Sequence, residues 1–111
     1  MATNGIRQLN GVTNSYPVET SLSGTAVWNT EYRLGSVSAL SFTVPAYITD
    51  AGCEIRIVFT ASSNITASIT LPSGVTGYGF SDISISNGNS YEMSIVPISN
   101  TAYVCLFKEW S

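Results

Sequence analysis

Few of the side chains that usually carry chemistry occur in this chain. It contains no histidine. A Ser-His-Asp or Cys-His arrangement therefore cannot be built within one copy, and the group that most often moves protons near neutral pH is missing. Asp50, Glu54, Asp82, Glu92 and Glu109 are carboxylates of the type that cuts glycosidic bonds in pairs. No spacing singles out a pair among them, so they read as solvated acids on a β-surface. Cys53 and Cys105 belong to no Cys-x-x-Cys or Cys/His cluster; they pair if their strands are neighbours, and otherwise read as two buried thiols acting as small apolar side chains, the preferred reading. The glycine-rich run "SGVTGYG" lacks the Gly-Lys-Ser/Thr that grips phosphate, and the Gly-x-Ser-x-Gly elbow is absent. The expectation is a protein that is not an enzyme and needs no metal and no cofactor.

Aromatic residues offer more. Tyr78 stands between Gly77 and Gly79 in the glycine-rich loop "SGVTGYGFSD" and is the one aromatic read as a ligand contact, through stacking on a sugar or packing at an interface. Phe80, Trp28 and Trp110 are read as core plugs. The basic residues Arg7, Arg33, Arg56 and Lys108 are scattered and form no stripe, which argues against nucleic acid and against an anionic membrane surface. Charged residues make up 10% of the chain and the net charge is −3. A surface built from Ser, Thr and Asn repels its own copies weakly, which favours self-association.

The elements that would position these residues are strands. "VSALSFTVP" places Leu40, Phe42 and Val44 on one face before Pro45 stops it. "EIRIVFT" turns Ile55, Ile57 and Phe59 inward and Arg56 outward, and "ITASITLP" aligns Ile65, Ala67, Ile69 and Leu71. "SYEMSIV" sets Tyr91, Met93 and Ile95 against Glu92 and Ser94. Turns are expected at Asn29-Thr30, Asp50-Ala51-Gly52 and "PISN", and a hairpin at "SNGN", whose Asn-Gly is a strong signal. The last strand, "TAYVCLFKEW", is apolar on both faces, as in a central strand or an edge covered by another subunit. No helical period appears. The pattern predicts an all-β fold, a small antiparallel β-sandwich or jelly-roll-like barrel over 25–111.

Residues 1–24 differ: they are rich in Asn, Gly, Ser and Thr and sustain no period. They read as an N-terminal arm, an attachment segment with Ile6, Leu9 and Tyr16 as the candidate attachment residues. The segment holds no apolar signal region and the chain no long apolar run, so synthesis in a cytoplasm is expected. Asn64-Ile65-Thr66 reads as a chance match to the glycosylation sequon.

The stretches "NTEYRLGSVSALSFTVP", "EIRIVFTA", "ITLPSGV" and "GNSYEMSIVPISNTAYVCLFKEW" together resemble a small β-domain of tailed-phage structural proteins, of head-fibre, decoration or tail-fibre C-terminal type. The resemblance spans 25–110 and implies a scaffold rather than a set of binding residues. A domain of this size with a short arm suits a small accessory virion protein. It implies a homo-oligomer, a trimer by preference, docked on capsid or another virion protein through the arm and exposed on the virion surface. The alternative is a receptor- or carbohydrate-binding tip module of a tail fibre, with Tyr78 touching a host surface glycan.

Overall fold

The structure, a computed structural model, describes residues 7–9, 12–14, 17–49, 53–81 and 83–110, with side chains from Pro17 onward. Ten strands run in chain order: β1 Arg7–Leu9, β2 Val12–Asn14, β3 Val18–Glu19, β4 Thr30–Val37, β5 Ser41–Thr43, β6 Ile55–Ala61, β7 Ser68–Thr70, β8 Thr76–Tyr78, β9 Ser90–Ser99 and β10 Ala102–Trp110. A six-stranded sheet has the order β3-β4-β6-β9-β10-β8, and β5 pairs with β7 in a second, two-stranded sheet. Among the described residues there is no helix, and none long and apolar enough to cross a membrane.

The expected alternations hold where strands are long. In β6 every second residue is buried, and Ile55 and Ile57 are wholly inside. In β9 Tyr91, Met93 and Ile95 are buried, and in β10 Tyr103 and Cys105. These side chains meet Leu40, Phe42 and Val44 of and around β5, with Ala26, Trp28, Ile65 and Ile85, in one core between the layers. Alternation alone puts one face of each strand against the other layer, as in a sandwich.

The pairing is mixed rather than antiparallel throughout, which corrects the expectation. β3 with β4, β4 with β6, β5 with β7 and β8 with β10 are parallel, whereas β6, β9 and β10 pair antiparallel. The cause is the route of the chain. It leaves β4 for β5 in the other layer, returns to β6 beside β4, and crosses again to β7 beside β5. Each strand thus comes back beside a partner reached by a crossover, and crossovers give parallel neighbours.

Three turns differ from expectation. "SNGN" does turn, with Gly88 at φ 91° and the Asn89 N–H donating to the Ser86 carbonyl at 3.3 Å. It makes no hairpin, because it carries the chain from Ile85, bridged to Ile65, across to β9. The first turn falls on Trp28-Asn29 rather than Asn29-Thr30, with Asn29 at φ 58° and Thr30 already in β4. Within "PISN" only Asn100 turns; Pro97 and Ser99 belong to β9, which bulges at Ile98 where Tyr103 and Ala102 face Pro97 and Ser99. Asp50, Ala51 and Gly52 lie outside the described residues.

The segment 1–24 also pairs. β1 meets β2, and β3 adds an edge to the six-stranded sheet beside β4 while Leu22 packs against the core. Strands of two or three residues are too short to show a period. Leu9 belongs to β1, and Ile6 and Tyr16 lie outside the described residues. At the opposite edge Gly79 is required: its φ is 82°, and a Cβ there would lie 2.4 Å from the Cys105 carbonyl oxygen.

Polar tips of core aromatics tie one layer to the other. The Tyr103 hydroxyl donates to the Pro45 carbonyl at 3.1 Å, and the Trp28 indole N–H donates to Ala46 at 2.8 Å. Replacing Tyr103 by Phe keeps the ring and removes that donor. We expect urea unfolding to show a loss of about 1 to 2 kcal/mol with an unchanged m-value; an unchanged midpoint would mean that water replaces the bond at no cost.

Candidate functional site

The outer face of the six-stranded sheet, away from the core, holds the groups that could recognise a ligand. Registration fixes the layout. Glu31 of β4 lies opposite Arg56 of β6, and Arg56 opposite Ser94 of β9. Arg33 lies opposite Val58, and Val58 opposite Glu92, which in turn pairs with Lys108 of β10. Glycine at φ 70° in position 35 allows a bulge after Arg33, so that Arg33 faces outward while Leu34 packs partly on the core.

These charges form a chain of alternating sign. Glu31, 3% exposed, receives Arg33 Nε on one carboxylate oxygen, and its other oxygen lies 3.9 Å from Arg56 Nε. Arg56 Nη2 meets Glu92 Oε2 at 3.0 Å. Glu54, also buried, accepts a hydrogen bond from Ser94 Oγ. Burial makes such a chain costly to break on one side, because the partner charge then remains desolvated and unpaired. Arg33 is 58% exposed along its side chain and holds Glu31 through Nε, which leaves the Nη edge of its guanidinium toward solvent.

A groove of about 390 Å³ opens on this face. Arg33 and Arg56 stand at one end and Trp110 at the other, with Val58, Thr60 and Ser90 between them. Trp110 is 44% exposed and is not the core plug that its type suggests. Alternation along β10 explains it: Tyr103 and Cys105 point inward, so Leu106, Lys108 and Trp110 point outward. Trp28 is buried, as expected, and Phe80 packs partly against the core.

Tyr78 belongs to β8, not to a loop, and stands on the same outer face beside Val104 at 55% exposure. It is not among the groove residues. Of the acids considered, Glu54 is buried and Glu92 is paired with Arg56, Glu109 is exposed, and Asp50 and Asp82 lie outside the described residues. Glu31, Arg33 and Trp110 are the groove residues that sequence reasoning missed. The signal that could have found them is the outward set of β4 and β10, read jointly across four strands. Among the described residues no three of His, Cys, Asp and Glu gather as a metal-binding group.

Cys53 and Cys105 are both buried thiols. Burial pushes the Cys105 thiol up from its ordinary 9.0 to about 12. The Tyr103 phenol is raised too, by burial first and then by the neighbouring Cys53 and Tyr47. Both groups are neutral when protonated. The folded chain therefore keeps protons that the unfolded chain releases above pH 9, and stability is full below that value and is lost as pH rises toward 12. The expected fall is about 1.4 kcal/mol per pH unit for each retained proton. Urea midpoints across that window check it, and an equal slope in Cys105→Ala would remove Cys105 as a source.

For the charge chain, Arg33→Gln removes the hydrogen-bonding guanidinium from the buried Glu31 carboxylate and is expected to cost about 2 kcal/mol. Glu31→Gln leaves Arg33 in solvent and Arg56 still paired with Glu92, and is expected to cost less than about 1 kcal/mol. Chemical denaturation of both variants checks the order, and a larger loss in Glu31→Gln would mean that Arg56 rather than Arg33 holds the carboxylate. No protein-family model, curated protein or solved structure matches this chain.

Proposed function

We propose that this chain is a structural protein of a tailed-phage particle, of head-fibre or capsid-decoration kind, whose work is assembly and display rather than reaction. One observation carries the reading. Leu106, Ile98 and Tyr78, 62%, 64% and 55% exposed, crowd around Val96 and Val104 on the outer face at the β8–β10 edge. β8 covers β10 only through Val104, so among the described residues the edge of β10 from Leu106 to Trp110 has no strand beside it. An apolar face next to an open edge invites a partner strand or sheet.

The partner in this reading is further copies of the same chain, three in all. Charged residues are 10% of the sequence, so like surfaces approach one another with little repulsion. The assembling unit in this reading is the β-domain as a two-layer sandwich with an open outer face. The N-terminal segment 1–24 supplies the residues that dock on capsid or another virion protein. The chain is made in the host cytoplasm and ends on the virion surface. The sequence resemblance over 25–110 supplies the phage context, and the absence of histidine supports a role without catalysis.

A second reading, a receptor- or carbohydrate-binding tip of a tail fibre, draws on the exposure of Tyr78 and on the groove at Trp110. Light scattering separates the two. The assembly reading expects a mass about three times 11.8 kDa for the intact chain and a monomer for Leu106→Asp, whose circular dichroism stays native. A monomer in the intact chain at high concentration would sink the assembly reading and leave the tip module as the better account.

A further inference from the structure

We propose that the groove between Arg33 and Trp110 binds an acidic sugar, with a uronate-type carboxylate on Arg33 and a sugar ring on Trp110. The inference goes beyond assembly and does not rest on it: the groove lies at the far end of β10 from the apolar cluster around Val104.

The argument starts from Arg33. A guanidinium recognises a carboxylate best when its fork is held still, since less side-chain entropy is then lost on binding. Glu31 holds it through Nε, from below and almost out of water. Arg56, which would otherwise compete for the same anion, is already engaged by Glu92. Glu31, Arg33 and Arg56 all line the groove, and among them the Nη atoms of Arg33 are the pre-aimed edge with no partner among the described residues.

The floor suits hydroxyls. Thr60 and Ser90 lie opposite each other on β6 and β9, with their hydroxyl oxygens 2.8 Å apart. Only one hydrogen is used between them, which leaves one donor and several lone pairs for a ligand. Trp110, in register with Ser90, presents a half-exposed indole at the far end. An aromatic face next to polar groups is what a sugar ring needs, because its C–H face is apolar and its rim is hydroxylated. Arg33 and Trp110 sit on strands three spacings apart, roughly 14 Å between backbones, and their long side chains shorten the gap. A groove of about 390 Å³ lies at the small end of ligand sites and holds a short oligosaccharide rather than an extended chain.

The test uses the intact chain and two ligands, trigalacturonate and the neutral maltotriose, followed by amide shifts in two-dimensional NMR. Expected is saturable binding of the uronate at millimolar concentration, with shifts in β4, β6 and the end of β10. The neutral sugar should bind about tenfold more weakly, as loss of one charge-assisted fork implies. Arg33→Gln should lose about the same factor and Trp110→Ala at least as much, with native circular dichroism in both, whereas Trp110→Phe keeps most of the affinity. Absence of saturation below about 50 mM, equal binding of the two sugars, or an Arg33→Gln variant that binds like the parent would overturn the proposal. Light scattering on the same samples keeps this result separate from the oligomeric state, because a chain that assembles but binds no uronate fails here alone.

Discussion

The fold depends on large aromatic side chains whose bodies fill the core and whose polar tips reach backbone groups in loops. Tyr32 accepts the Val27 N–H at 3.0 Å, Tyr91 accepts the Ser86 N–H at 2.7 Å, and Tyr103 and Trp28 donate to Pro45 and Ala46. Around these tips the rings pack on one another. Trp28 meets Tyr103 edge-on at 5.7 Å, and Phe59, Tyr91 and Phe107 stack in a row. Each such residue does two jobs that a leucine could not. It excludes water over a wide area, and it satisfies a backbone group that the connection would otherwise leave unpaired. A chain that crosses repeatedly between layers has many such groups, because each crossing leaves the ladder of one sheet before it joins the other.

That constraint explains which parts of the fold were legible in the sequence. Alternation in "EIRIVFT" and "SYEMSIV" identifies the inward residues of β6 and β9, because burial on one face imposes period two directly on residue type. Strand order is not written in that period. A strand followed by a crossover and a strand followed by a hairpin share the same alternation, so the parallel pairing of β4 with β6 and of β5 with β7 stayed hidden. The same holds for "SNGN". Asn-Gly dictates a backbone reversal through the positive φ at Gly88, but a reversal serves a layer crossing as well as a hairpin.

The candidate site was less legible. Trp110 is expected inside by its size, and only its parity with Leu106 and Lys108, counted from buried Tyr103, places it outside. Glu31 and Arg33 sit in a strand whose first residues are all buried, so period two fails there. Glu31 is buried while it carries Arg33 on one oxygen, and residue type alone cannot announce this because an acid is the usual sign of exposure. Tyr78 is exposed, and the flanking glycines that suggest a loop serve a strand instead. Gly77 makes room for Leu71 and Phe80, and Gly79 for the Cys105 carbonyl.

β10 joins these threads. Its inward residues, Tyr103, Cys105 and Phe107, belong to the core, and its apolar outward residues therefore cannot be explained by core packing. A strand buried on both faces of a single chain would show both sets inside, whereas here Val104 is half-buried and Leu106 and Trp110 stand in solvent. Two different surroundings follow along one face. Toward Val104 the neighbours are Tyr78, Val96 and Ile98, an apolar surface that gains most by meeting its like. Toward Trp110 the neighbours are Ser90, Thr60 and the guanidinium of Arg33, which gain most from a ligand that is polar at its rim. In the reading proposed above, the double apolar pattern that marks this strand in the sequence is the trace of three demands on one segment: the core behind it, a flat apolar contact at one end, and a single aromatic platform at the other.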